Sequence, residues 1–211
     1  MRICRHRNEK MTSRQEQAQE TRRKLLDSAL KLFSEHGYAD THVRRINRDI
    51  DLADGLLYHY FPGGKEELLQ VLIKEHFEQI VHDMRSQNEL LRTLPIDEAL
   101  EHFLRNIDEA FTSHLPVFKI LFRERKARDT LELQKITELF RSNQNWLPEY
   151  LKERAEAGEI QEMDYHCAAY VLKAIVMNHF LMKLTGIDTD QLSDPEHRKR
   201  LIQYQISLWK K

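Results

Sequence analysis

Glycine and proline are scarce, at six and five of 211 residues. A many-turned β-sandwich or barrel needs far more such punctuation, so that class is disfavoured. Cysteine is nearly absent: Cys4 and Cys167 share no metal-ligand spacing. That excludes a disulfide scaffold and a cysteine zinc site, and fits a reducing cytoplasm. No apolar run approaches the roughly 20 residues that span a bilayer. The N-terminus, Met1 to Lys10, is basic, but no apolar stretch follows it, so a secretory leader is not expected. Met11 offers a second start, and residues 1–12 are expected to be a flexible extension. Strong charge of one sign is also missing, because the net charge is −1. Its distribution is uneven: residues 1–65 hold 13 Lys+Arg against 9 Asp+Glu, and the remainder is acidic. A mildly basic head on an acidic body implies a local footprint on phosphate, not a coat of it.

What the chain does have is helical periodicity almost throughout. Gly37, Gly63, Gly64, Gly158 and Gly186, with Pro62, Pro95, Pro116, Pro148 and Pro195, stand where the apolar pattern resets. Between them no alternating β-branched run appears, and the pattern predicts an all-α protein of about nine helices. The first helix is expected over 13–36, opened by a Ser13/Glu16 capping box and stopped at Gly37. Leu25, Leu26, Ala29, Leu32 and Phe33 make its apolar face. Thr41 is expected to cap a second helix that ends near Ile50, and a third is expected over about 54–60. A fourth runs from Lys65 to about Leu91. Later helices are expected over 97–113, 116–127, 130–157 with a kink at Pro148, 163–185 and 195–210.

Catalytic constellations are missing. There is no His-Glu-x-x-His and no paired Glu-x-x-His. Gly63-Gly64-Lys65 is not a phosphate loop, since His59 stands where a glycine is needed and no Ser or Thr follows the lysine. Glu98/His102 and Glu162/His166 have i,i+4 spacing, which surface pairs commonly show. Neither an enzyme, a metal site nor a cofactor is expected.

One stretch carries specific chemistry. From Thr41 to Leu68, a short helix, a tight turn and a second short helix precede a lysine at the mouth of a third. Such an arrangement places one helix in the DNA major groove and clamps phosphates beside it. Ile46, Ile50, Leu52, Leu57 and Phe61 supply the packing side. That leaves Arg44, Arg45, Arg48, Asp54, Leu56, Tyr58 and His59 for the exposed side. Arg44 suits a bidentate pair with guanine. Leu56 and Tyr58 suit a thymine methyl or sugar. Asp54 either accepts from cytosine or caps the third helix, and capping is the stronger expectation. Tyr60 and Lys65 suit phosphate, as do the amides exposed after Gly63-Gly64. The expected DNA-binding set is Thr41, Arg44, Arg45, Asp54, Leu56, Tyr58, His59, Tyr60 and Lys65.

The segment from Thr21 to Leu69 resembles the DNA-binding head of the tetracycline-repressor (TetR) family of transcriptional regulators. The matching residues are Thr21-Arg22, Leu25-Leu26, Ala29, Leu32-Phe33, Gly37-Tyr38, Thr41, Val43, Ile46, Gly55, Leu57-Tyr58, Tyr60-Phe61 and Lys65 to Leu68. Asn47, where the family usually has alanine, departs from the pattern. So do Ile50-Asp51 in place of Ala-Gly, and Ala53 in place of serine. Asp51 can still occupy a left-handed turn.

The resemblance implies a helix-turn-helix head over residues 13–64 and a helical ligand-sensing and dimerisation domain over 65–211. It further implies a homodimer through residues 163–185 and 195–210, a palindromic operator and a small-molecule effector that shifts the spacing of the two heads. Repression is the expected outcome. Activation, or a helical protein-binding adaptor, is the alternative. Ligand contacts are unassigned, although Phe103, Phe111, Phe118, Phe122, Trp146, His114 and His179 are eligible.

Overall fold

The computed structural model describes residues 13–124, 146–187 and 192–210. Eight α-helices and no strand make up these residues. They are α1 (Ser13–His36), α2 (Val43–Asp49), α3 (Leu56–Tyr60), α4 (Gly64–Leu91), α5 (Ile96–Arg123), α6 (Trp146–Glu156), α7 (Tyr165–Thr185) and α8 (Pro195–Trp209). The chain divides into two compact units, residues 1–72 and 73–211, so the first turns of α4 belong with the head.

In the first unit, the apolar spacing of α1 buries Leu25, Leu26, Ala29, Leu32 and Phe33, as the sequence predicts. The helix stops at Gly37, whose φ of 88° is left-handed and whose N–H reaches Phe33 O at 3.0 Å. Ile46 and Leu57 are fully buried, each worth about 1.5–3 kcal/mol of transfer free energy. Polar ties fix α2 on α1: the Ser28 hydroxyl donates to Ile46 O at 3.3 Å, and Lys31 to Asp49 Oδ1 at 2.9 Å.

Asn47 sits in this core with 0% exposure, and neither its amide nitrogen nor its oxygen has a partner. A buried polar group left unsatisfied costs about 1–3 kcal/mol. Asn47→Ala is therefore expected to raise the melting temperature of the head, and thermal denaturation of the two proteins checks it. A clear fall would mean that the amide is satisfied.

In the second unit, the core joins α5, α6, α7 and α8 through residues such as Leu100, Leu104, Tyr150, Leu151, Ala169, Leu172 and Ile202. Two helices expected over 97–113 and 116–127 are one helix up to Arg123, with Pro116 inside it. The proline removes one backbone bond, at a cost of roughly 3 kcal/mol. Burial of His114, Val117, Ile120 and Leu121 on either side keeps the helix continuous. The helix expected over 130–157 is seen from Trp146, where Pro148 lies in the first described turn and no kink is assigned. The rest of it, and residues 125–127, fall outside the described residues. Asp164 caps α7 by accepting from Cys167 N at 2.9 Å, so that helix begins at Tyr165 and Glu162 lies before it. Glu162 and His166 thus do not share a helix.

Two polar knots lie inside this unit. Asp108 Oδ1 on α5 accepts from His179 Nε2 and Ser193 Oγ, both at 2.8 Å, and pairs with Lys183. Burial pushes its carboxyl up, but the hydrogen bonds from Lys183, Ser193 and His179 outweigh burial and hold it below the ordinary value. His76 on α4 and His114 on α5 meet Nδ1 to Nδ1 at 2.9 Å, which requires at least one neutral ring. Burial lowers the His114 value, against the opposing pull of Asp83. A depressed histidine favours the fold above its unfolded value of 6.5 and loses that contribution as pH falls. The melting temperature is therefore expected to drop below about pH 6.5, less steeply in His114→Leu, and a pH series on both proteins tests this.

Candidate nucleic-acid interface

The interface is built on a turn. Asn47 O accepts from Leu52 N at 2.8 Å, and Asp51 takes φ 55°, the left-handed geometry expected of it. The chain then reaches Gly55, at φ 96°, which opens α3. No side chain caps α3, so Asp54 is not the cap that was expected. Its carboxylate instead faces Arg44, Oδ2 to Nε at 3.6 Å, and both side chains stay largely exposed. Such a pair contributes little to stability. It does place Arg44 beside the residue preceding Gly55, at the opening of α3.

An open cleft results, lined by His42, Arg44, Arg45, Arg48, Tyr58 and Lys65 among others. Arg44 and Arg48 are one helical turn apart and both exposed. Arg45 is exposed too, but its guanidinium donates to His36 Nε2 at 2.7 Å, toward the end of α1. Tyr58 is 53% exposed and lies over Gly64. A Cβ at Gly64 would come 3.0 Å from the Tyr58 ring at a φ of 66°, so glycine there seats the tyrosine. His59 is exposed and packs edge-on against half-buried Tyr60, with centroids 5.2 Å apart. Leu56 is half-buried at the start of α3.

Three expectations are corrected. Thr41 neither caps α2 nor faces outward. It is 0% exposed, its hydroxyl lies 2.7 Å from Gly37 O and 3.2 Å from Leu32 O, and the cap position is His42. Lys65 turns inward, donating to Tyr38 O at 2.7 Å and Thr41 O at 3.0 Å, with its ammonium 4.2 Å above the Tyr38 ring. It clamps the loop between α1 and α2, and its side chain also lines the open cleft. The Gly63 and Gly64 amides are also engaged, with Glu67 Oε2 at 2.7 Å and Phe61 O at 2.8 Å.

Sequence reasoning passed over His42 and left Arg48 out of the expected set. Arg48 was legible from its i+4 spacing to Arg44. His42 had no signal, because its exposure follows from the burial of Thr41. Among the described residues no three His, Cys, Asp or Glu side chains gather as a metal site would require.

Comparison with known proteins agrees with this geometry. Residues 25–72 match the family of bacterial regulatory proteins, tetR family. The fatty acid metabolism regulator protein of Bacillus subtilis is 30% identical over 142 residues, which is 65% of this chain and 70% of that protein. Among solved structures, the ketosteroid transcriptional regulator KstR2 of Mycobacterium tuberculosis superposes with a TM-score of 0.65 at 19% identity, covering 96% of this chain and 97% of that one. FadR of Bacillus subtilis, solved with stearoyl-CoA, superposes at 0.56 with 24% identity, covering 85% and 96%. These two likenesses establish the same fold: a helix-turn-helix head followed by a helical domain. The exposed arginines and tyrosine around the α2–α3 turn, the family match over that head and the Bacillus relative lead to one assignment: the chain belongs to the tetracycline-repressor family of DNA-binding transcriptional regulators.

Proposed function

We propose that this regulator acts in the cytoplasm as a homodimeric repressor, holding a palindromic operator and releasing it when a small molecule binds the second unit. The observation that carries the DNA-reading half is the α2–α3 turn, which leaves Arg44, Arg48, Tyr58 and His59 exposed on one short motif. Arg44 reads a base, while Arg48, Tyr60 and His42 contact the backbone. Arg45 joins them only on leaving His36. Leu56 and Tyr58 meet thymine methyls or sugars. Asp54 orients Arg44, and no catalytic role is assigned to any residue.

An unbiased selection from random duplex DNA at physiological salt tests this reading. A recovered palindrome, with half-sites about 34 Å apart, is the expected result. Failure to recover any motif, with and without candidate effectors, would refute sequence-specific binding. Arg44→Ala is expected to relax preference at one base position, costing about 1–3 kcal/mol there. Equal weakening on every sequence would instead make Arg44 a phosphate contact.

The effector half rests on an aromatic cluster of the second unit. Phe111 and Phe118 pack with Phe180 at 4.6 and 4.9 Å, and Phe77 and Phe122 join them. His179 borders this cluster beside Phe111, His114 packs edge-on against His76, and Phe103 and Trp146 form a separate stack. An apolar molecule suits such surroundings. Long-chain acyl thioesters are a reasonable first class to try, given the relative solved with stearoyl-CoA.

A further inference from the structure

Six buried side-chain polar atoms lack a hydrogen-bond partner among the described residues, and three of them lie along α6: Trp146 Nε1, Tyr150 Oη and Arg154 Nε. Their i, i+4, i+8 spacing puts them on one face of the helix. Buried polar groups are nearly always partnered, and an unpartnered one costs stability, so three in a row need a reason. The rings beneath them are fixed. Phe103 stacks on Trp146 with centroids 6.0 Å apart, and Trp146 stacks on Tyr150 at 5.5 Å with planes 10° apart. The Arg154 guanidinium lies 5.4 Å over the Tyr150 ring.

The chemistry of the three atoms selects their partner. Indole and guanidinium N–H groups only donate. Burial pushes the Tyr150 phenol up to about 12, so it too remains a protonated donor. An acceptor is required. The neighbouring charges argue against an anionic one: Arg92 is paired with Glu153 and Arg154 with Glu159, so among the described residues no unmatched cation faces Tyr150, while Asp97 adds negative charge. An anion brought here would lose its hydration without gaining a counter-charge.

We infer that this face of α6 is the polar contact point for an apolar ligand bearing a neutral carbonyl group, whose oxygen accepts from Trp146 Nε1 and Tyr150 Oη. This rests on the reading that the second unit takes a small molecule. Tyr150 is 1% exposed, whereas Trp146 is half-buried.

Only two tryptophans, Trp146 and Trp209, occur in the chain, so the indole N–H region of a nitrogen-15 spectrum of the full-length protein holds two side-chain signals. Trp146→Phe assigns them. Titration with acetophenone is expected to move the Trp146 signal saturably in the millimolar range. Ethylbenzene, which has the same shape without the oxygen, and benzoate, which is anionic, should leave it nearly in place. Tyr150→Phe keeps the ring, and it should weaken acetophenone binding severalfold while raising the melting temperature of the free protein. Equal displacement by ethylbenzene, no displacement by acetophenone, or unchanged affinity in Tyr150→Phe would each overturn the site. If another small molecule releases DNA while Trp146 stays silent, this site is wrong and the ligand-responsive reading stands. If acetophenone binds at Trp146 but no small molecule changes DNA affinity, the site stands and the effector reading fails.

Discussion

Lys65→Ala is expected to lower the stability of the head and its affinity for every duplex together. The ammonium reaches Tyr38 O at 2.7 Å, Thr41 O at 3.0 Å and, more weakly, Ala39 O at 3.4 Å, and it lies 4.2 Å over the Tyr38 ring. Hydrogen bonds to a charged group contribute about 1.5–3 kcal/mol each, and a partly desolvated cation–π contact roughly 1–2. Side-chain entropy and residual solvation reduce the sum, so a net loss of about 2–4 kcal/mol is expected. The same loop delivers the chain to α2, where Arg44 and Arg48 begin, so DNA affinity falls with it. A lysine whose only partner was phosphate would behave differently. Its removal would leave the melting temperature alone and reduce the slope of log affinity against log salt by about one. Thermal melts and a salt series on the same variant separate the two. An unchanged melting temperature with a flattened slope would show that Lys65 faces the DNA after all. Lys65→Met keeps the stem over Tyr38, so any recovery with it measures packing apart from charge.

That lysine also shows where sequence reading stops. The residue type and its place at the mouth of α4 were legible, as were the apolar face of α1, the stop at Gly37 and the left-handed Asp51. Each of these is a local property, fixed by side-chain periodicity or by φ. The partners of Thr41, Asp54 and Lys65 are not local. A threonine ahead of a helix reads as a cap, yet Thr41 is turned inward by backbone carbonyls four and nine residues earlier. Asp54 reads as a cap as well, but Gly55 holds that position with a conformation that needs no carboxylate. Pro116 reads as a break, and tertiary burial on both sides overrides it. Position 47 was legible as a departure from the family pattern. That its amide is buried without a partner was not, because burial belongs to the packed state.

The largest loss of operator binding is expected from a double substitution far from the DNA, Met177→Glu with Tyr204→Glu. Tyr170 and Tyr204 are 73% and 63% exposed, and Met177, Leu181 and Leu208 are between 41% and 54% exposed. Residues 170, 177 and 181 form one stripe of α7, and 204 and 208 one stripe of α8. Between the two helices lies an open hollow of about 430 Å³, lined by Tyr170, Ala174, Asn178 and Leu201 among others. So large an apolar face requires a cover. By length and composition alone α7 could cross a membrane, contrary to the sequence expectation. Lipid is nonetheless a poor cover for it, since His179 and Lys183 on the same helix are bound to Asp108 of α5 within an ionic network. In the proposed homodimer, a second copy meeting the same two helices would supply an apolar cover of the right kind and bring a second head to the operator. Joining two half-site contacts raises affinity about 10²–10⁴-fold over one. The double variant, altered only at exposed positions, should keep its fold, sediment as a monomer and lose operator affinity by about that factor. Sedimentation, circular dichroism and operator titration check the three parts. A parent protein that is monomeric at micromolar concentration, or a monomeric variant that still binds the palindrome as the parent does, would sink the dimer.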